Sequence, residues 1–471
     1  MSALKLQKDL TAGPITRTIL GFAFPMILGN LLQQLYNIAD TLIVGQFLGA
    51  DALAAVGSSY TLMTFLTSIL LGLCMGSGAV FSIRSGEKDE EGLQAGILHS
   101  FLMVGALALA LNAAVFFLID PILYFLRVPD DIYGMMREYL WIIFFGIFAT
   151  FLYNFFASLL RAVGDSVTPL LFLGVCAALN ILLDLLFVIK FHWGVGGAAA
   201  ATVAAQFVSG AGLLCYTWVR HPKYRILPGK MQLKRDIFCE IARFSLLTCL
   251  QQSVMNLGIL MVQGLVNSFG TVVMAAFAAA VKIDSFAYMP VQDFGNAFST
   301  FAAQNFGAKK TERIRAGIKS AVVCSVLFCL AVSLVVWVFA EQLMLLFVKR
   351  EEVQILEIGV QYLRIEGAFY WGIGCLFLLY GFYRAVERPG MSVVLTVVSL
   401  GTRVALAYVL SALPALGASG IWWSVPIGWV LADVTGLVYY KVHRRSLLND
   451  CLADDGNSSA QDFAPAAKSV K

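Results

Sequence analysis

Charged residues and histidines are scarce in this chain. Asp, Glu, Lys and Arg together make up 13% of its 471 residues, and there are four histidines. Soluble globular domains carry about 25% charged residues, so this composition excludes an ordinary soluble protein. The histidines are scattered, and no G-x-S-x-G motif or spaced nucleophile and base is found. We therefore expect no enzyme.

Patterns of metal binding and redox chemistry are missing as well. The nine cysteines stand singly, without a C-x-x-C pair or a cluster of Cys and His. Such spacing indicates neither a zinc site nor a disulfide framework. The sequence predicts no cofactor and no structural metal.

Long apolar stretches are abundant instead. Hydrophobic residues make up 59% of the chain. Stretches of about 20 or more apolar residues are long enough to cross a bilayer as helices. They span residues 15–44, 53–82, 94–118, 135–160, 167–189 and 195–219, and then 242–268, 273–303, 316–347, 358–383, 391–412 and 420–442. We predict an all-α membrane protein with twelve transmembrane helices.

The second half of the chain repeats the first. Residues from about 14 to 220 recur from about 235 to 442, first with a shift of 221 and then with a shift of 223. The matched pairs include Gly49 and Gly270, Gly86 and Gly307, Lys88 and Lys309, Tyr139 and Tyr362, Arg161 and Arg384, and Gly197 and Gly420. Chance does not explain matches of these residue types in so apolar a chain, so the pattern indicates a duplication with six spans in each half.

The duplication predicts the domain organisation. We expect a first six-helix lobe at residues 14–220 and a second at residues 241–443, related by an axis along the membrane normal because each holds an even number of spans. Residues 1–13 form an N-terminal segment and residues 221–240 a linker between the lobes. The tail, residues 444–471, is rich in Asp, Ser, Ala and Lys and is predicted to be disordered.

Positive charge differs between the two sides of the membrane. Lys and Arg in or next to the loops on the side of both termini number 23. The opposite loops hold five, namely Arg127, Arg137, Lys190, Lys349 and Arg350. Positively charged loops stay in the cytoplasm, so we predict a plasma (inner) membrane protein with both termini cytoplasmic. The basic run between the halves faces anionic lipid in this arrangement, which argues against a nucleic-acid partner.

Polar residues lie at membrane depth in three spans of the first half. Asp40 in span 1 and Asp184 in span 5 fall at similar depth, Asn180 lies one turn before Asp184, and Thr202 in span 6 reaches the same layer. A carboxylate at this depth is costly unless it faces a cavity or a partner, so it marks function. Oxygen ligands suit a hard cation, and two carboxylates in a dry site also favour a shared proton. We predict a site for H⁺ or Na⁺, without choosing between them; bonding of both acids to helix ends is the alternative.

Other polar residues within the spans are candidates for a substrate site or polar cavity. They are Gln34, Tyr36, Asn37 and Asn154 in the first half and Lys282, Asp293 and Glu366 in the second. Each is also explained by an interhelical hydrogen bond or salt bridge. Pro25 removes a backbone hydrogen bond from span 1, which predicts either a hinge or a simple packing role. The cation layer is not duplicated, because Asp40 aligns with Met261, Asn180 with Arg403 and Asp184 with Ala407.

These features resemble those of the multidrug and toxic compound extrusion (MATE) family of secondary transporters. The resemblance covers residues 14–442, including the twelve spans, the duplication and the set Pro25, Asp40, Asn180, Asp184 and Thr202. It implies a V-shaped pair of lobes that open alternately to either side and export cationic amphiphilic compounds by antiport with H⁺ or Na⁺. It also implies that the four polar residues of the set bind the coupling ion and that helix 1 bends at Pro25. We expect a monomer.

A second-lobe ion route and other functions are the alternatives that the sequence leaves open. One branch of the family carries an acid in helix 7, but no acid lies between Arg243 and Lys282 here, so Asp293 or Glu366 would have to serve a second-lobe ion route. A flippase for a lipid-linked saccharide is the alternative function, with Lys282, Arg364 and Arg403 as candidates for binding a pyrophosphate. An intramembrane enzyme or a passive channel is disfavoured, since the duplicated halves suit alternating access.

Overall fold

The computed structural model describes residues 7–125, 128–225 and 234–449, and within these ranges it contains helices and no strand. The helices are α1 (Ile15–Leu48), α2 (Ala50–Glu87), α3 (Glu90–Phe125), α4 (Asp130–Ile143), α5 (Gly146–Ala162), α6 (Val167–Asp184), α7 (Gly194–Arg220), α8 (Arg235–Asn267), α9 (Thr271–Gly307), α10 (Thr311–Val338), α11 (Ala340–Met344), α12 (Val353–Gly367), α13 (Tyr370–Ala385), α14 (Pro389–Ser411) and α15 (Ala418–Asn449). Ten of them are long and apolar enough to cross a membrane, and two bent pairs each supply one more span. The predicted all-α fold with twelve spans is confirmed.

Spans 4 and 10 are broken near their middle, although each was predicted as one stretch. Helices α4 and α5 meet at 45°, and α12 and α13 meet at 50°. The breaks correspond under the repeat to within one residue. At the first break the Phe145 N–H donates to the Ile142 carbonyl (3.1 Å), a three-residue step that tightens the helix. Apolar patterning does not reveal such a turn, because the residues on both sides of it remain apolar.

Several helices extend beyond the apolar stretches that predicted them, and α8 and α15 are two examples. Helix α8 begins at Arg235 rather than at 242, and α15 continues to Asn449 rather than ending at 442. Polar residues can extend a helix here because water satisfies its free backbone groups outside the hydrocarbon. Residues 444–449 of the predicted tail are therefore helical. Residues 450–471, with 1–6 of the N-terminal segment and 226–233 of the linker, lie outside the described residues.

Two hydrophobic cores correspond to the two halves of the chain, and α1 contributes to both. Ile19, Phe22 and Met26, near the beginning of α1, pack in the core formed mainly by α8 to α15. Ile43 and Val44, near its end, pack in the core formed mainly by α2 to α7. Helix α1 is thus shared between the first lobe and the second lobe.

The lobes meet near one face of the bundle, here called the terminal face, where the chain enters α1 and leaves α15. Helix α2 packs against α8 so closely that a Cβ on Gly72 would lie 2.6 Å from the Cys249 Cα. Nearer the terminal face, α2 crosses α9 at Gly86 and Gly307. A Cβ on either glycine would overlap a backbone carbonyl oxygen of the other helix. Glycine is needed here because the two backbones approach each other directly.

Hydrogen bonds between the lobes reinforce this contact. The Ser77 and Ser245 hydroxyls are 2.9 Å apart between α2 and α8. Arg84 Nη2 donates to Glu240 Oε2 at 2.6 Å, and the side-chain amide of Gln304 donates to the Ala162 carbonyl at 2.7 Å. For the part of the chain that the structure describes, the lobes are therefore closed against each other at the terminal face.

Candidate functional site

The two acids of the first lobe come together. Asp40 lies on the last third of α1, and Asp184 is the final residue of α6. Asp184 is 0% exposed. The two carboxyl groups lie within hydrogen-bonding reach of each other. Two carboxyl groups in such contact in an apolar region cannot both remain charged and unpaired, since each charge disfavours the other.

The amide and hydroxyl predicted for the same layer are also present. Asn180 lies one turn before Asp184 on α6, and its side-chain amide donates to the Thr202 Oγ1 on α7 at 3.2 Å. Four buried oxygen atoms then accept no hydrogen bond from any described residue: Asp40 Oδ1, Asn180 Oδ1 and both Asp184 oxygens. A buried acceptor left unpaired costs about 1–3 kcal/mol. The layer therefore offers oxygen ligands and lacks a positive partner, which suits a proton or a hard cation.

A π-helical segment that the sequence did not indicate follows this site. It spans Leu185–Lys190, directly after Asp184. A π turn holds one residue more than an α turn and is frequent at functional sites. The segment ends where the Trp193 N–H donates to the Phe187 carbonyl at 3.0 Å. Asp184 thus lies at the junction of two helix types, where the regular backbone pattern of α6 changes.

Two tyrosines accompany the acid pair. The hydroxyl of Tyr36, one turn before Asp40 on α1, interacts electrostatically with Asp40. Tyr139 on α4 is 7% exposed and interacts with both Asp40 and Asp184. Sequence reasoning missed Tyr139 as a site residue. The signal available in the sequence was that Tyr139 recurs as Tyr362. A tyrosine in an apolar span needs a polar partner for its hydroxyl, so a repeated tyrosine indicates polar groups at the same place in each lobe.

The other polar candidates of the first lobe do not join the pair. Asn154 donates to the Thr150 carbonyl of its own helix at 2.9 Å. Gln34 and Asn37 are partly exposed on α1, and their side chains form no hydrogen bond within the described ranges. These residues therefore stay candidates for the lining of a cavity.

Pro25 lies within a continuous α1, where its ring removes the hydrogen bond that the Gly21 carbonyl would otherwise accept. Lys8, from the segment that precedes α1, donates its Nζ to this carbonyl at 2.9 Å. A side chain at position 21 would obstruct the ammonium, because a Cβ there would lie 3.0 Å from the Lys8 Nζ. The helix remains unbroken at Pro25 with its free carbonyl satisfied from outside.

Asp293, predicted as a cavity residue, lies between the lobes. The side-chain amide of Asn30 on α1 donates to both of its carboxylate oxygens, at 2.6 and 2.7 Å. Asp293 is 5% exposed on α9. Hydrogen bonds to a buried charged group contribute about 1.5–3 kcal/mol, so this pair is a strong contact of α1 with the second lobe.

Comparison with known proteins identifies the family. The MatE family model matches residues 25–186 and 245–409, once in each half of the chain. The chain belongs to the MatE family. The probable multidrug resistance protein YpnP of Bacillus subtilis is 30% identical over 93% of this chain and 97% of its own length. The probable multidrug resistance protein NorM of Thermotoga maritima is 26% identical over 92% and 94%. A solved MOP superfamily transporter from Pyrococcus furiosus is 24% identical, covers 95% of this chain and 99% of its own, and superposes with a TM-score of 0.88.

The predicted resemblance is confirmed, and with it the description as a multi-pass membrane transporter. The second lobe of this MatE protein carries a different polar cluster from the first. Asp284 on α9 and Glu366 on α12 both interact electrostatically with Arg403 on α14. The Tyr362 hydroxyl donates to Glu366 Oε2 at 2.9 Å. Here the two acids have a cation of the protein itself, which the acid pair of the first lobe lacks.

The basic residues considered for a pyrophosphate do not form one group in this MatE protein. Arg403 interacts electrostatically with Asp284 and Glu366 of the second lobe. The guanidinium of Arg364 lies over the Trp337 ring, 5.4 Å from its centroid. Lys282 is exposed. The geometry therefore gives no support to a flippase for a lipid-linked saccharide.

Proposed function

We propose that this MatE protein is a secondary active multidrug efflux transporter that exports cationic amphiphilic compounds in exchange for H⁺ or Na⁺. One observation carries the proposal: Asp40, Asn180 and Asp184 present four buried oxygen atoms that accept no hydrogen bond from any residue in the described ranges. A proton on one carboxyl group, or a sodium ion between them, satisfies these atoms and removes the repulsion of the two charges. Binding of the coupling ion therefore changes the energy of the site strongly, as an antiporter requires.

The contact of the lobes supports alternating access. The asymmetry of positive charge supports a cytoplasmic terminal face, and with this orientation the conformation is closed toward the cytoplasm. Separating α2 from α9 at Gly86 and Gly307 and joining the lobes at the opposite face would open the region between the lobes to the cytoplasm instead. Each elementary charge that moves through the membrane contributes about 2.3 kcal/mol per 100 mV to drive this cycle.

Aromatic side chains from both lobes support a cationic substrate. The hydroxyls of Tyr36 on α1 and Tyr288 on α9 each lie near that of Tyr60 on α2. Tyr60 is half-exposed. Tyrosine rings attract cations through their faces and also bury apolar surface. YpnP and NorM are named as probable multidrug resistance proteins, which supports efflux of more than one compound.

The test measures ethidium efflux from proteoliposomes under an imposed pH gradient and, separately, under an imposed sodium gradient. We expect Asp40→Asn and Asp184→Asn each to lose at least about tenfold of the gradient-driven efflux, because one carboxylate alone is a poor cation site. Asp51→Asn, an exposed acid outside the site, is the matched control and retains efflux. Full transport by both site variants would contradict the assignment, and the gradient that drives the wild type identifies the ion.

A further inference from the structure

A cavity of about 540 Å³ lies at the terminal face. This size is within the range of about 300–1,000 Å³ that is usual for small-molecule sites. The cavity is lined by Ser85 and Gly86 at the end of α2, by Tyr216 on α7, and by Gln304 on α9 of the second lobe. The segment before α1, residues 7–13, also contributes to its wall. Among the described residues, the lining shares none with the candidate ion site, so the cavity is a separate feature of the fold.

Three permanent cations line this cavity, namely Lys8, Lys88 and Arg220. The side chains of Lys88 and Arg220 are exposed, and neither donates a hydrogen bond to a residue within the described ranges. The Lys8 ammonium donates to the Gly21 carbonyl at 2.9 Å, which uses one of its three N–H groups. Ammonium and guanidinium groups with free donors are the usual partners of phosphate oxygens in proteins. The cavity therefore offers several donors to an anion.

The two carboxylates in the lining already have donors of their own. The Asp165 carboxylate accepts hydrogen bonds from the Val167 and Thr168 N–H groups, at 3.1 and 2.9 Å, and from the Thr168 hydroxyl at 2.6 Å. Asp9 Oδ1 accepts from the N–H and the hydroxyl of Thr11, at 2.8 and 2.7 Å. Three cations thus face two acids that are held by local donors, so the cavity keeps an excess of positive charge.

His221 adds a buried ring atom without a partner. It lines the same cavity, and its Nε2 accepts or donates no hydrogen bond among the described residues. The ring is fixed between Tyr216 and Tyr224, with centroids 6.0 and 5.7 Å away. Burial and the charge of Arg220 lower the pKa of His221, against the opposing charge of Asp165, so the ring is neutral near pH 7. A buried polar atom left unpaired is costly, and an oxygen of a bound anion can accept its proton.

The complete cavity belongs to the conformation in which the lobes are closed at the terminal face. Its Gln304 wall is held to the first lobe by the hydrogen bond from the Gln304 amide to the Ala162 carbonyl, at 2.7 Å. The segment before α1 touches both lobes, because the Lys8 N–H donates to the Gly164 carbonyl at 3.0 Å while Leu10 is buried in the second core. Separation of the lobes moves Gln304 away from Ala162 and so removes one wall of the cavity.

We propose that this cavity binds a phosphate group from the water at the terminal face, and that the bound phosphate stabilises the closed conformation. The group could be carried by a free phosphate compound or by a lipid headgroup, which present the same oxygen atoms to Lys88, Arg220 and His221. A ligand that binds only one of two conformations shifts the equilibrium toward it. Its effect on efflux rests on the proposed function, whereas its binding does not.

The test measures how fast a buried thiol becomes accessible. Ser245 is 0% exposed between α2 and α8, so the thiol of Ser245→Cys reacts with a maleimide while the lobes are apart. The protein is placed in phosphatidylcholine nanodiscs, and the labelled peptide is quantified by mass spectrometry. Inorganic phosphate at ten times its dissociation constant should slow the labelling about tenfold relative to chloride at the same ionic strength.

Variants of the lining show whether this cavity causes the effect. Lys88→Gln with Arg220→Gln should weaken phosphate binding at least about tenfold and so remove the slowing. Lys309→Gln is the matched control, because Lys309 ends α9 with a φ of +55°, as Lys88 ends α2 with +60°, and lies outside the lining. Each variant is compared with itself in chloride, which separates phosphate binding from a change in folding. Equal slowing in the double variant and in Lys309→Gln would overturn the proposal.

A change of lipid distinguishes the two sources of the phosphate group. If a lipid headgroup binds, nanodiscs of phosphatidylglycerol should slow the labelling even in chloride, and the double variant should recover the faster rate. If a free compound binds, the rate in chloride should be the same in both lipids and fall only when phosphate is added. The same rate in both lipids, with and without phosphate, would refute the site. Absent ethidium transport by the wild type would instead remove the proposed efflux function and leave the labelling result intact.

Discussion

Gly86→Ala should open the contact between the lobes. A Cβ at this position would overlap the Gln304 carbonyl oxygen and lie 2.8 Å from the Gln304 carbonyl carbon. The obstacle is backbone within a helix, which cannot turn aside as a side chain can. The Cβ would lie 2.0 Å from this oxygen, whereas ordinary contact begins at 3.4 Å, so the two helices would have to move apart by about an ångström or more. Gly307 repeats the geometry from the other helix, against the Ile83 carbonyl.

The size of the effect follows from this overlap. Forcing an extra carbon into a packed contact costs about 1–3 kcal/mol. The methyl group also favours helical backbone, but it does so equally whether α2 and α9 are in contact or apart. Only the overlap therefore changes the balance between these two conformations. A difference of about 1–3 kcal/mol corresponds to about a 5- to 150-fold shift toward the conformation in which α2 and α9 are separated.

A buried thiol reports this shift directly. Ser245 is 0% exposed between α2 and α8, so a cysteine at that position reacts with a maleimide only while the lobes are apart. The labelling rate of Ser245→Cys should rise by the same factor when Gly86→Ala is added. Gly57→Ala, on the same helix with nothing within 4 Å of its Cβ, is the control and should leave the rate unchanged. Equal rates in the Gly86→Ala and Gly57→Ala proteins would refute the reasoning.

Two further predictions concern α1 and the segment before it, residues 7–13, here called the strap. Asn30→Ala should lower the free energy of unfolding by about 1.5–3 kcal/mol, because the buried Asp293 carboxylate loses both of its hydrogen bonds. Adding Asp293→Asn should restore part of the lost stability. An unchanged melting temperature in Asn30→Ala would contradict this prediction. Burial opposes ionisation of Asp9, but hydrogen bonds from Thr11 and the charges of Lys310 and Lys88 outweigh it and lower its pKa. The stabilisation of the strap is then complete above the ordinary value of 3.8 and is lost as the pH falls through the lowered pKa. Hydrogen exchange of residues 7–14, corrected for its intrinsic rate, should be constant between about pH 7 and about pH 5. Faster corrected exchange at pH 5 than at pH 7 would contradict this prediction.

The sequence predicted what depends on periodicity, charge and repetition. The twelve predicted apolar stretches correspond to twelve spans in the structure. The repeat matched Gly86 with Gly307, and the structure places these two glycines at one crossing of two helices. Breaks such as that at Phe145 were not predicted, because a tightened turn changes the hydrogen bonding without changing the apolar pattern. The partner of Lys8 was not predicted either. It is a backbone carbonyl made available by Pro25, and sequence reasoning does not bring the strap against α1.

Within the candidate ion site, too, the sequence predicted the depth of the residues but not how the helices pack around them. Sequence depth placed Asp40, Asn180, Asp184 and Thr202 in one layer, and the structure brings them together on α1, α6 and α7. Depth alone did not indicate Tyr139, because it is the packing of α4 in the lobe that brings this residue near the acids. The role of the four residues in ion coupling stays a prediction until transport is measured.

The polar layers of the two lobes differ in whether a cation of the protein lies near the acids. Duplication conserved the tyrosine of the polar layer, as Tyr139 and Tyr362, but the position of Asn180 became Arg403 in the second lobe. Asp284 and Glu366 therefore have a permanent positive charge close by, which lowers the energy gained by taking up a further cation. Oδ1 of Asp40 and both carboxylate oxygens of Asp184 accept no hydrogen bond from any described residue, so we expect a proton or a sodium ion from solution to bind there. Placing an arginine at position 180 should accordingly remove ion dependence from the first lobe, because the site would then be neutralised in both conformations.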